Sequence, residues 1–414
     1  MAISVNPPAR LLAFALALDF VCGSLSAAEP EFQLDANYPG GNVQLVSQEG
    51  DIFTVAPDLR DIKKGQWWFY YNFRLRGPEE KTATIRFVDK SPVGVRGPAI
   101  STDGGRTWKW MGAEAMTNST VGKSSAWSFQ AAVPKGAAEA RFAFAPTYLE
   151  SNLRDWLAAQ GSNPALNISE LCRSRKGRGV ELIRAGCLDD AKERGIVLLT
   201  ARHHACESMA SYALEGLLAE VLSGDEAGQW RERWQVIALP FADKDGVEDG
   251  DQGKNRAPHD HNRDYNEVPI YPEIAAWMKL GESLQSRVVF SLDMHCPSIR
   301  GVWNDRAYFV GAADPAMAEK ERAFVQVLEA VRRGSIPFLA ADCYLPFGKA
   351  WNQASNYADG RSSAGWARKT FPEARFAGTI EVAYADALGV EVNADSARAL
   401  GRDLARAIWR HLGN

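Results

Sequence analysis

The stretch Arg202-His203-His204-Ala205-Cys206-Glu207 gathers imidazoles and a carboxylate in six residues. Neutral imidazole nitrogen and carboxylate oxygen are both good zinc donors, and His204 and Glu207 have the three-residue spacing with which one turn can present two ligands to one cation. The chain has six histidines. His411 lies near the carboxyl terminus, and the other five fall within 202–207, 259–265 and Asp293-Met294-His295. His295, at the end of an apolar run, is the natural third donor. Two His and one Glu leave a fourth zinc position for water, the open arrangement of a catalytic centre, and zinc brings the pKa of such a water towards neutrality.

A hydrolytic centre also needs a base and a grip on its substrate. Glu381 stands inside the apolar run Gly378-Thr379-Ile380-Glu381-Val382-Ala383, and a carboxylate there requires a partner or a task. A salt-bridged strand residue is the competing reading. Asn262 and Arg263 lie in a donor-dense loop, 255–265, and a planar guanidinium suits bidentate capture of a carboxylate. The competing reading is a solvated surface loop.

These groups need elements to position them. Residues 195–200 read as a short buried strand, and 209–222 carry apolar residues at helical spacing, so the paired histidines occupy a strand-to-helix turn. Open α/β sheets bind ligands at the carboxyl ends of their strands. Residues 234–240, 287–293 and 378–383 read as further strands, and 148–159, 314–333 and 394–411 as helices. The alternation predicts an α/β catalytic domain, 146–414, with a mixed, mostly parallel sheet covered by helices on both faces. Ahead of it, 29–145 reads as a small antiparallel β-sandwich: 66–75 and 82–88 are rich in aromatic and β-branched residues, Gly77-Pro78 marks a turn between them, and Asp103-Gly104-Gly105 marks another. Its tryptophans suit either sugar faces or core packing, and packing is the commoner use.

Composition bounds the class. The 414 residues are 46% apolar with a net charge of −4, enough for large cores and without the basic surface that nucleic acid requires. Residues 1–28 resemble an export signal, with Arg10, an apolar segment from Leu11 to Val21 broken by Asp19, and Ser26-Ala27-Ala28 before Glu29. The protein is therefore expected in the periplasm or outside the cell, without a stable membrane anchor. Five cysteines remain beyond that segment, an odd number, with Cys172 and Cys187 the pair first expected to bridge.

Taken in order, Arg202-x-His204-x-x-Glu207, Asp243-Lys244-Asp245-Gly246-Val247, Asp260-His261-Asn262-Arg263-Asp264-Tyr265, Asp293-x-His295 and Ile380-Glu381 resemble the zinc carboxypeptidase family. The aromatic 66–73 stretch and Phe144-Ala145-Pro146-Thr147-Tyr148 resemble the sandwich and junction of its cytosolic carboxypeptidase-like branch. The resemblance implies one zinc ion on His204, Glu207 and His295, Glu381 as general base, and Asn262 with Arg263 gripping the carboxylate of a peptide or peptide-like substrate. It also implies a group that polarises the scissile carbonyl, for which Arg256 is nearest in sequence, and a mobile tyrosine, for which Tyr357 is available. Arg361, Arg368 and Lys369 precede the Glu381 strand where the family lines its pocket for the terminal side chain. They suit an acidic side chain unless all three are solvated.

The sequence departs from the family in three places. His203 doubles the first histidine, so His203-x-x-Cys206 is a rival ligand spacing, disfavoured in an oxidising compartment. Asp243-Lys244 replaces the usual Asn-Pro, and Cys206 replaces the usual Gly. The expected function is that of a metallocarboxypeptidase. An amidase or deacylase for N-acyl amino acids or peptidoglycan peptides is the enzymatic alternative, and a secreted binding protein with an inactive hydrolase domain is the other.

Overall fold

The computed structural model describes Met1 and residues 32–413, so the export-like segment otherwise lies outside the described residues. Strands β1 (Gln33–Asp35), β4 (Asn72–Arg76), β10 (Ala140–Ala143), β6 (Ala99–Ser101) and β7 (Lys109–Trp110) form one five-stranded sheet in that order. A second is ordered β2 (Gln44–Glu49), β3 (Ile52–Ala56), β5 (Thr82–Val88), β9 (Ser124–Ala132), β8 (Thr117–Val121). The β3–β5 pair is parallel, so this region is not purely antiparallel as expected.

The aromatic stretch 66–75 also differs from its expected single strand. Only its end, from Asn72, joins a ladder, because the main-chain N–H and C=O of Tyr70 bind the Gln252 side-chain amide at 2.8 and 3.1 Å. The chain there follows the loop that carries Gln252. Phe69, Tyr70 and Tyr71 are buried, while the tryptophans Trp67 and Trp68 are half-buried against the same core and Trp68 also lines the main cavity.

An eight-stranded sheet begins with β11 (Leu166–Arg173) and runs through β12 (Gly179–Gly186), β14 (Trp234–Leu239), β13 (Gly195–Ala201), β15 (Val288–His295), β18 (Phe376–Glu381), β16 (Tyr308–Val310) and β17 (Tyr344–Leu345). The four strands from β14 to β18 are mutually parallel, as are β16 and β17, while β11–β12, β12–β14 and β16–β18 are antiparallel. The mixed, mostly parallel sheet is as expected. Side-chain alternation along β13 decides its two faces. Val197, Leu199 and Ala201 join the core of helices α2 (Ser208–Ser223) and α8 (Ala394–Leu412), while Ile196 and Leu198 join Ile274, Trp277 and Trp366 on the other side. The latter side chains come from α5 (Pro272–Ser283) and α7 (Ser363–Thr370). The remaining helices are α1 (Glu150–Ala159), α3 (Ala227–Arg233), α4 (Lys244–Asp249) and α6 (Pro315–Val331).

Helix starts follow capping chemistry. Asp314 accepts from Met317 N at 2.8 Å, and Asn393 accepts from Asp395 N and Ser396 N at 3.1 and 3.0 Å. Among the described residues no helix is long and apolar enough to cross a membrane.

Cys172 and Cys187 are both free, contrary to the expected bridge. The β11–β12 hairpin pairs Cys172 with Val180 and Leu166 with Ala185, so the two cysteines stand towards opposite ends of the ladder. Six residues of strand span about 20 Å, whereas disulfide Cα atoms lie within about 7 Å.

Candidate active site

Two adjacent parallel strands and one turn build the site. Thr200, Asp293 and Thr379 share a register row on β13, β15 and β18, and His295 pairs with Glu381 two residues further on. Period-two alternation puts Asp293 and His295 on one face, and Thr379 and Glu381 likewise. After β13 the chain turns sharply at Arg202, whose φ is 63°. The buried Arg202 guanidinium braces the turn by donating to Ala205 O, to Tyr148 O at 2.8 Å and to Ser211 Oγ at 3.0 Å. Glu207 is then the cap position of α2.

The His204, Glu207 and His295 donor atoms all lie within 4.8 Å of one another. His204 Nδ1 is 2.9 Å from Glu207 Oε1, and His295 Nδ1 is 2.7 Å from Glu207 Oε2. The outer imidazole nitrogens face carboxylates as well: His204 Nε2 lies 3.2 Å from Asp260 Oδ1, and His295 Nε2 lies 2.8 Å from Asp293 Oδ2. Metal-binding histidines characteristically hold such a partner on the nitrogen turned away from the metal. The donor set therefore fits a zinc ion. Burial disfavours a charged Glu207, yet Lys254, His204 and His295 outweigh it and hold the carboxyl well below its usual range.

His203 is not part of this triad. It is fully buried, its Nε2 2.7 Å from Tyr265 Oη and its Nδ1 2.9 Å from Asp293 Oδ1 without hydrogen-bond alignment. Cys206 contacts the Tyr384 hydroxyl, so His203 and Cys206 do not form the rival ligand pair.

A cavity of about 440 Å³ opens on His204 and His295. His204, His295, Glu381, Asn262, Arg263 and Tyr357 all line it, so the structure brings these predicted residues together. Glu381 is buried, and its Oε2 makes no hydrogen bond. Burial pushes its carboxyl up to about 7, against the pull of Lys254 and His295. Asn262 Oδ1 accepts from Ser363 N at 2.9 Å, which fixes the amide with Nδ2 3.0 Å from His295 Nε2. Arg263 donates to Asn356 O at 2.7 Å and lies over the Tyr357 ring, while the Tyr357 hydroxyl donates to Asn352 Oδ1 at 2.9 Å.

Arg256 is the exception. It lines a separate cavity, where its guanidinium pairs with Asp243, lies 2.8 Å from Asp251 and 3.8 Å from Asp61. Three carboxylates around one cation form a buried structural network that takes the guanidinium away from the triad. Replacing Arg256 by Met is expected to lower unfolding free energy by about 3–5 kcal/mol, because the carboxylates lose their counter-charge in a poorly solvated place. Denaturant unfolding measures this; an unchanged midpoint would contradict the structural role.

Sequence reasoning passed over Asp260, Asp293 and Lys254 as working residues. The Asp-x-His spacing on β15 was a legible signal for Asp293, since i and i+2 share a strand face. Nothing local marks Lys254, which lines the cavity with Nζ 2.8 Å from Glu207 Oε1.

No family model matches the sequence. Among solved structures, a metallo-carboxypeptidase from Burkholderia cenocepacia superposes with a TM-score of 0.73 at 19% identity, covering 92% of this chain and 99% of its own. A Pseudomonas aeruginosa metallo-carboxypeptidase in complex with (2-guanidinoethylmercapto)succinic acid superposes at 0.68 and 18%, covering 91% and 98%. The fold is thus that of the metallocarboxypeptidases. By sequence, the chain is 23% identical to cytosolic carboxypeptidase 6 of Caenorhabditis elegans over 336 residues, 74% of this chain and 69% of that protein. It is 26% identical to cytosolic carboxypeptidase 2 of Danio rerio over 270 residues, 58% of this chain but 37% of the longer relative. In sequence the chain is thus similar to cytosolic carboxypeptidases, and in fold to metallo-carboxypeptidases.

Proposed function

We propose that this protein is a zinc-dependent metallocarboxypeptidase that removes the last residue of a peptide. The observation that carries the reading is the convergence of His204, Glu207 and His295 within 4.8 Å on a cavity that also holds Glu381, Asn262 and Arg263. Zinc held by the triad would supply Lewis acidity and make a water easier to deprotonate. Glu381, with a carboxyl near neutral pKa and a free Oε2, is suited to take that proton. The hydroxide oxygen bonds to the terminal peptide carbonyl carbon, the C–N bond breaks, and the proton passes from Glu381 to the leaving amine. Arg263 and Asn262 stand at the cavity wall, where they can hold the substrate carboxylate and limit cleavage to one residue from the end. Tyr357, beside Arg263, would cover the bound residue. The test combines metal analysis with mass spectrometry of a peptide-library digest. One zinc per chain and single-residue C-terminal losses are expected, and internal cleavage or deacylation alone would overturn the reading.

The cavity also supports a preference for an acidic terminal side chain. Of the three cations named in the sequence, Arg368 lines the main cavity and Arg361 a neighbouring one, while Lys369 lines neither. Arg368 donates through Nε to Ala377 O at 3.0 Å and through Nη2 to Glu321 at 2.7 Å, a geometry that holds the guanidinium rigidly. A peptide ending in Glu is expected to be cleaved roughly 10-fold faster than its Leu counterpart at low salt, with Arg368→Met erasing the difference. Faster release of Leu by the native enzyme would refute this specificity while leaving the peptidase reading intact.

A further inference from the structure

Hydrolysis of a peptide places negative charge on the carbonyl oxygen as the carbon becomes tetrahedral. A preorganised donor at that oxygen is worth most in a cavity shielded from water. Three cations line the cavity among the described residues: Lys254, Arg263 and Arg368. Arg368 is tied to Glu321 and Ala377 O, and Arg263 is stacked on Tyr357 and donates to the backbone of Asn356 and Asn262. Lys254 is the one that sits against the triad. Its Nζ lies 2.8 Å from Glu207 Oε1 and donates to Cys296 O at 2.9 Å, which occupies two of the three ammonium hydrogens. Only 17% of its side chain is exposed, and its charge lies over the Trp68 ring, 5.3 Å from the centroid.

The loop carrying Lys254 is built to hold it there. Gly253 has φ +82°, and a Cβ at that position would fall 2.2 Å from Ala205 N and 2.7 Å from His204 Cα. The backbone can therefore press against the histidine turn only because this residue is glycine. Asp61 accepts from Gln252 N at 3.1 Å and Gly253 N at 2.8 Å, and Gln252 O accepts from Cys206 N at 3.1 Å. The Gln252 side chain closes its two bonds with the Tyr70 backbone. One short loop is thus pinned on one side by the N-terminal aromatic region and on the other by the turn between His204 and Glu207.

We propose that Lys254 is the catalytic cation that donates to the oxyanion of the attacked carbonyl, the role the family resemblance suggested for Arg256. Trp68, Gln252 and Gly253 are positioning residues that hold it. The N-terminal region thereby completes the active site. This rests on the carboxypeptidase reading, and the experiment separates the two.

Zinc-loaded full-length protein is assayed with a C-terminal peptide substrate, alongside calorimetric binding of a peptide phosphonate, whose anionic tetrahedral group mimics the attacked carbonyl. Lys254→Met should keep one zinc and its melting temperature while kcat falls by roughly 100-fold or more and KM changes little. Phosphonate affinity should fall by a similar factor. Lys254→Arg should recover at least about a tenth of native kcat, because it restores a cationic donor. Arg256→Lys, which keeps the counter-charge of its network, should leave kcat near native. Loss of zinc or of folding in both Lys254 variants would make Lys254 a structural support and overturn the assignment. So would native kcat and phosphonate affinity in Lys254→Met. A native enzyme that neither cleaves the peptide nor binds the phosphonate would overturn the carboxypeptidase reading and the Lys254 role together.

Discussion

Glu381→Gln is expected to lower turnover by roughly 100-fold or more while the protein still binds one zinc, the loss typical of removing a general base. The substitution is nearly isosteric and exchanges a buried carboxylate for an amide that cannot accept the proton. The register between β15 and β18 makes the separation of roles clean, since Glu381 pairs with His295 but is not among the converging donor atoms. The amide should also be tolerated by the fold, because Glu381 Oε2 has no hydrogen-bond partner to lose. Metal content and steady-state kinetics on the same preparation decide the matter. Zinc loss would make Glu381 a ligand, and unchanged turnover would remove it from the chemistry.

His204→Ala should abolish metal binding at stoichiometric zinc and, with it, measurable peptidase activity. Removing one of three protein donors leaves Glu207 and His295 alone, too few for a stable catalytic zinc centre. His203→Ala provides the contrast. His203 contacts Tyr265 and Asp293, so its loss should cost about 1–3 kcal/mol of stability for a broken buried contact while zinc stays bound. Metal analysis after dialysis reads both variants. Full zinc in His204→Ala together with loss in His203→Ala would transfer the ligand role to the other histidine.

The chemistry of the centre was legible because it lies in local patterns. His204 and Glu207 sit three apart at the end of an unbroken apolar strand, and Glu381 is a charge inside another, so residue type and periodicity sufficed to single them out. The strands themselves were equally plain, since β13 and β14 are buried along their whole length and β18 nearly so, and all three read as largely apolar runs. The 66–71 segment was misread for the complementary reason. Its aromatic, β-rich composition predicts a ladder, but its backbone partner is the side chain of Gln252, 182 residues away.

Arg256 and Lys254 show most clearly where sequence stops. Both are cations in one loop, two residues apart, and nothing local says which of them faces the substrate. Sequence singled out His204, Glu207 and His295 as candidate donors, Glu381 as candidate base, Asn262 with Arg263 as a candidate carboxylate grip, and the strands beneath them, because each depends on spacing within one element or on burial of a charge. The choice between the two cations belongs to tertiary structure. Asp243, Asp251 and Asp61 gather around Arg256 and draw it away, while Gly253 lets the backbone close on the His204 turn and brings Lys254 against Glu207. Those carboxylates and that turn come from separate parts of the chain, and long-range electrostatics and steric fit between them have no periodicity to read.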